Sequence, residues 1–186
     1  MKILGIAGSL RSGSHNRSLL RAAGELLPAG AELEIWDGLK AVPPYDEDDD
    51  VDPAPAAVAE LRAAIAGADA VLFATPEYNS SVPGQLKNAL DWVSRPLATS
   101  PLRNKPVAVV GASSGIFGAV WAQAELRKIA AAIGARVVDR ELPVGQAEGR
   151  FDAAGGLADD DLRAELGELV EALLDEARAR EVAAAA

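Results

Sequence analysis

Hydrophobic positions along this chain alternate between two periods. Residues 2–7, 69–75 and 105–111 form continuous apolar runs rich in branched side chains, the pattern of strands buried on both faces. Glu32-Leu33-Glu34-Ile35-Trp36 alternates charge with apolar character, as a half-buried strand does, and Arg136-Val137-Val138 is a fifth, shorter candidate. Between the strands, apolar residues recur at three and four. Leu19, Leu20, Ala23, Leu26 and Leu27 predict a helix that Asn16 would cap and that Pro28-Ala29-Gly30 would end. Ala56–Ala66 predicts a second, closed by Gly67. Leu86, Ala89, Leu90 and Val93 predict a third, from about Pro83 to Arg95-Pro96. Ala119–Ile133 and Asp159–Arg180 complete the set, and residues 181–186, mostly alanine, are expected to fray.

Strands that alternate with helices build an α/β domain on a parallel, doubly wound sheet. Length and the absence of a repeat predict one domain over 1–180. In the order 2-1-3-4-5, with helices on both faces, strands one, three and four are adjacent. The loops that follow them are Gly8 to Asn16, Thr75 to Pro83 and Ala112 to Gly118, all polar or rich in small residues. They would meet at the carboxyl edge of the sheet, where such folds bind ligands.

Composition narrows the chemistry. A net charge of −10 over 186 residues argues against bulk nucleic-acid binding and against adhesion to anionic membranes. With no cysteine there is no disulfide and no thiolate chemistry, and His15 as the sole histidine disfavours a zinc site or a Ser-His-Asp triad. The N-terminal run is one strand long and lacks the pattern of a secretory signal, and no stretch approaches a membrane span. A cytoplasmic protein is the expectation. Asp46-Glu47-Asp48-Asp49-Asp50 reads as a solvated loop, because consecutive acids repel one another and seldom converge on one ion.

Gly8-Ser9-Leu10-Arg11-Ser12-Gly13-Ser14-His15-Asn16-Arg17 runs from a strand into a helix N-terminus. Backbone N–H groups, hydroxyls, the helix dipole and a permanent guanidinium charge suit a phosphate monoester. Gly8 and Gly13 have P-loop spacing, but Ser14-His15 stand where its lysine and Ser/Thr should be, and no GxGxxG occurs. A mononucleotide phosphate without catalytic Mg²⁺, such as that of flavin mononucleotide (FMN), fits these residues. The competing reading is an ordinary polar turn that caps a helix.

These residues, taken with Pro76-Glu77-Tyr78-Asn79-x-Ser81-x-Pro83-Gly84-x-Leu86-Lys87-Asn88-Ala89-x-Asp91-Trp92-x-Ser94-Arg95, resemble the NAD(P)H-dependent FMN reductases, a flavodoxin-like group described as chromate, quinone and azo-dye reductases. The resemblance covers most of the chain, including Gly111-Ala112-Ser113-Ser114-Gly115 and the last helix. It implies that Ser9, Arg11, Ser14 and Asn16 hold the FMN phosphate. It implies that Pro76, Glu77, Tyr78, Asn79 and Ser80 line the isoalloxazine ring, with Ser113 and Gly115 at its border. It further implies a homodimer or homotetramer with the flavin near the subunit boundary.

The resulting hypothesis is an oxidoreductase that takes hydride from NADPH or NADH onto FMN and passes it to a quinone, azo dye, metal oxyanion or free flavin. One open site serving both substrates implies ping-pong kinetics. No protein group need be catalytic, because the cofactor carries the chemistry. His15 reads as a loop residue without a catalytic role, and Tyr78 as an aromatic wall. Glu77 has two readings, a carboxylate bound to a nearby helix or arginine and a group at the flavin edge. Lys87 and Asp91 form a surface or interface pair at i, i+4. Trp92 and Trp121 read as core or subunit contacts. An FMN-holding electron carrier and a non-redox mononucleotide-binding module are the rival functions.

Overall fold

The computed structural model describes residues 1–152 and 155–185. Its parallel sheet runs β2 (Glu32–Trp36), β1 (Lys2–Ala7), β3 (Ala70–Thr75), β4 (Pro106–Ala112), β5 (Arg136–Val137), the order expected from the crossovers. A sixth strand, β6 (Pro143–Val144), adds to the five expected. It pairs with the far end of β4, Gly111↔Pro143 and Ala112↔Val144, whereas β5 pairs with the near end, Pro106↔Arg136 and Val107↔Val137. The fifth position in the sheet is therefore filled by two short pieces. Gln123, fully buried, sits at the gap: its side-chain oxygen accepts from Leu142 N at 3.1 Å and its amide donates to Gly118 O at 3.0 Å.

The continuous apolar runs are buried on both faces because helices cover both. On one side α2 (Ala56–Ala66), α3 (Gly84–Val93) and α4 (Val120–Ile133) pack Leu61, Ile65, Leu90, Val93 and Leu126 onto Leu4, Val71, Phe73, Val107 and Val109. On the other, α1 (His15–Glu25) and α5 (Asp160–Ala185) pack Leu19, Leu20, Leu166 and Leu173 onto Ile3, Leu72, Ala108 and Val110. Residues alternate between the two clusters along each strand, as the pleat dictates. Trp92 lies wholly in the first cluster, with its indole N–H donating to Pro43 O at 2.9 Å, so the core reading applies to it.

Two helix boundaries differ from expectation. Ser14, not Asn16, caps α1: its hydroxyl accepts from Arg17 N, and Asn16 lies inside the first turn. The last helix continues to Ala185, five residues beyond Arg180, its final three residues being alanines, and Ala186 lies outside the described residues.

Candidate functional site

β1, β3 and β4 end side by side, and their loops enclose a cavity of about 210 Å³. Close approach makes the arrangement possible. A Cβ on Gly8 would lie 2.9 Å from a Leu86 methyl and 3.2 Å from Pro76 Cδ, so a glycine lets the first loop pass against the second. Its N–H donates to Ala74 O at 2.8 Å. On the other flank, a Cβ on Gly145 would meet Ile116 O at 2.2 Å, which lets β6 and its tail support the loop after β4 backbone to backbone. Gln146 N donates to Gly115 O at 2.9 Å and Ala147 N to Ser113 O at 3.0 Å.

The cavity brings together Ser9, Arg11, Ser14, Asn16, Pro76, Glu77, Tyr78 and Ser113 from the expected set. Asn79, Ser80 and Gly115 do not line it. Asn79 and Ser80 form the tip of a tight turn, with φ of 54° and 60°, closed by Tyr78 N to Ser81 O (3.1 Å) and Ser81 N to Tyr78 O (3.2 Å). Positive φ at both central residues is the type I′ pattern. Gly115 turns its carbonyl to the β6 side. His15, Ala112, Ser114 and Glu148 complete the lining. Ser114 adjoins a residue already singled out. Glu148 follows β6, and a two-residue strand beginning with proline offers no periodicity to find it by.

The polar groups differ in what they have left to offer. Asn16 is buried and fully engaged: Nδ2 donates to Ala112 O and Oδ1 accepts from Ala112 N, both at 2.9 Å. Its side chain ties α1 to the end of β4, leaving its backbone N–H in the first turn for a ligand. Arg17 makes a two-pronged pair with Asp37 and holds that carboxyl below its ordinary range. Arg11, by contrast, has no ion-pair partner among the described residues. Glu77 takes the first of its two readings: its Oε2 accepts from Trp121 N (3.0 Å) and Ala122 N (3.1 Å) at the start of α4. His15 stacks on Phe151 with ring centroids 5.8 Å apart. Lys87 and Asp91 form the expected surface pair at 2.7 Å.

A free guanidinium, two serine hydroxyls and the N-terminus of an 11-residue helix fit a phosphate dianion, and the walls of Pro76 and Tyr78 fit a flat ring. The cavity is smaller than the roughly 300–1,000 Å³ that encloses whole ligands, so a mononucleotide seated here would be only partly covered. Beyond the rim, Ile116, Phe117 and Trp121 are 71%, 61% and 48% exposed, and the last two rings meet edge to face at 5.0 Å. No helix among the described residues is long and apolar enough to cross a membrane.

Comparison with known proteins agrees with this geometry. The family model described as NADPH-dependent FMN reductase matches residues 1–149. An NAD(P)H-dependent FMN reductase of Pseudomonas aeruginosa is 44% identical over 174 residues, 93% of this chain and 93% of the relative. A 2-hydroxy-1,4-benzoquinone reductase of a Burkholderia species is 38% identical over 164 residues, 88% of each chain. The solved structure of FerB, a flavoenzyme NAD(P)H:(acceptor) oxidoreductase from Paracoccus denitrificans, superposes with a TM-score of 0.84 at 34% identity, covering 96% of this chain and 98% of that one. A matched motif set, a matched sheet order and this cavity converge on one conclusion: the chain is an enzyme of the NADPH-dependent FMN reductase family, with FMN as its cofactor and NAD(P)H as its reductant.

Proposed function

We propose that this protein transfers reducing equivalents from NAD(P)H to a quinone-type acceptor, with both substrates using the one cavity in turn. The observation that carries the reading is the meeting of an unpaired Arg11, the capped start of α1 and the Pro76–Tyr78 wall in one partly open cleft. Bound FMN supplies the hydride-accepting ring. The protein's part is to bind and orient. Arg11, Ser9, Ser14 and the first N–H groups of α1 hold the phosphate end. Pro76, Glu77 and Tyr78 set one wall, and Ser113 and Ser114 the other, with little ordering on binding because proline and the I′ turn fix the loop. Asn79 and Ser80 serve as the turn that presents Tyr78, and Gly115 as the anchor of the opposite border.

A cleft too shallow to cover a mononucleotide leaves one ring face for a planar partner. The nicotinamide leaves before the acceptor enters, which gives parallel double-reciprocal lines. The names of the Pseudomonas and Burkholderia relatives support flavin and quinone acceptors respectively. The exposed Ile116, Phe117 and Trp121 beside the rim support a homodimer or homotetramer in which a second subunit covers them. Dependence on NAD(P)H supports a cytoplasmic location.

The test is the anaerobic visible spectrum of FMN-reconstituted protein before and after NADPH, then NADH, then a benzoquinone. Bleaching by the nucleotide and return of the oxidised band on quinone addition is the expected result. Flavin that binds but stays oxidised overturns the reductase reading in favour of a carrier, and intersecting kinetic lines overturn the shared site.

A further inference from the structure

The helix α4 begins without a cap of its own. Its Ncap residue is Ala119, at φ +62° and without a capping side chain. Among the described residues, the N–H groups of Trp121 and Ala122 in its first turn find an acceptor only in Glu77, which belongs to the cavity loop 44 and 45 residues earlier. A carboxylate there also meets the positive end of the helix dipole. The helix returns the contact one turn later. Glu125 Oε2 accepts from Ser81 Oγ at 2.5 Å and from Val82 N at 3.4 Å, on the far side of the same loop. Between the two anchors lies the I′ turn of Tyr78 to Ser81.

We propose that Glu77 and Glu125 are positioning residues that clasp the loop carrying Tyr78 to α4 from both sides and so fix one wall of the cavity. Packing holds the flanks of the loop, where Pro76, Val82 and Pro83 are buried, but not its tip, because Tyr78, Asn79 and Ser80 are all exposed. The place of the exposed tip is left to hydrogen bonds, and each carboxylate holds one end of it. The same clasp joins that wall to the Phe117 and Trp121 rim, since Trp121 N is one of the groups Glu77 holds. Both contacts of each carboxylate go to a single oxygen, so a glutamine can keep the geometry while losing the charge.

The functional side of the proposal rests on the reading of the cavity as the FMN site, so the experiment has an arm that needs no flavin. In ¹⁵N-labelled protein without FMN, amide exchange is followed at Tyr78, Ser81, Val82, Trp121 and Ala122 in wild type, Glu77→Ala, Glu125→Ala and the two glutamine variants. FMN affinity and the reduction potential of the bound flavin are measured on the same proteins. Either alanine variant should raise exchange at Ser81 and Val82 by about tenfold or more, and weaken FMN by about tenfold. The glutamine variants should stay within about threefold of wild type. A purely structural cap on α4 would raise exchange at Trp121 and Ala122 and lower the urea midpoint, with Ser81, Val82 and the flavin potential unmoved; that result overturns the proposal. Equal FMN affinity in alanine variants whose loop exchange has risen overturns it as well. Glutamine variants as weak as the alanine ones assign the effect to charge instead of position, with the same consequence. A raised loop exchange in a protein that takes up no FMN even as wild type supports the clasp and removes the FMN reading.

Discussion

The loops after β1 and β3 face each other across one cavity but are built in opposite ways. The β3 loop satisfies itself: a closed I′ turn, one carboxylate given to α4 and one accepted from it. The β1 loop has few bonds of its own, Arg11 N to Ser9 Oγ and Arg17 N to Ser14 Oγ, both at 3.4 Å, and among the described residues its Arg11 guanidinium has no ion-pair partner. A flat ring is held by shape, so its wall must exist before the ligand arrives. A phosphate is held by charge and N–H groups, so its cradle must keep those groups free. Under the proposed function, the self-bonded side meets the ring and the side with unsatisfied donors meets the phosphate.

The largest effect is expected at the tie between the start of α1, below the β1 loop, and the end of β4. Asn16→Ala leaves the N–H and C=O of Ala112 without partners in the interior, and should lower stability by about 2–4 kcal/mol in urea unfolding. Asn16→Asp keeps the acceptor but turns a second carboxylate oxygen onto Ala112 O in a buried place, so it should lose at least as much. Next comes Arg11→Ala, which should weaken FMN by about tenfold or more while leaving the thermal midpoint of the flavin-free protein unchanged. Arg11→Lys should fall between, lacking the fork. Isothermal titration separates the three, and equal FMN affinity in all of them would place the phosphate elsewhere.

A third prediction uses the opposite end of the sheet as a control. Lys105 is 3% exposed, with its ammonium against the carbonyls of Ala66 and Ala68, and burial, with Arg180 nearby, lowers its pKa from 10.5 to about 8 despite Asp69. The unfolded chain then binds more protons than the folded one between those values, so stability rises with pH across that window. From pH 7.5 to 9.5 the gain should be on the order of 2 kcal/mol, absent in Lys105→Met, with FMN affinity unaffected by the substitution. The smallest effect belongs to Ser80→Gly. A left-handed residue other than glycine costs about 1–2 kcal/mol, and the greater freedom of glycine in the unfolded chain returns about half of that. A net stabilisation of about 0.5 kcal/mol by chemical denaturation is expected, and a loss would mean the turn is not type I′ in solution.

The sheet order and five of its six strands could be read from the sequence, three from continuous apolar runs that have one use in an α/β fold, β2 from its alternation and β5 from a short branched pair. β6 could not: two residues starting with Pro143 carry no period, and their pairing depends on Gly118 and Gly145 allowing contact that no local pattern announces. The same holds within the site. Arg11, Ser14 and Pro76 are recognisable from residue type and place. Asn16 looks like a cap or a ligand group in sequence, yet its partner is Ala112, 96 residues away. Glu77 likewise shows its helix contact only when β3 and β4 lie side by side, since the N–H groups it holds are those of Trp121 and Ala122. Long-range polar ties of this kind are legible only in three dimensions.

The divided fifth strand bears on how this protein behaves at high concentration. An open sheet ends in a row of unpaired backbone groups that can template pairing with another molecule. Here the outer row is broken into Arg136–Val137 and Pro143–Val144, with a proline in the second piece and Gln123 fastened to Leu142 in the gap. An incoming strand would find two residues, an interruption, and two more. That edge cannot nucleate a continuous intermolecular ladder, so the sheet's unbroken margin is confined to β2 at the other side, where Glu32 and Glu34 set charge along the strand.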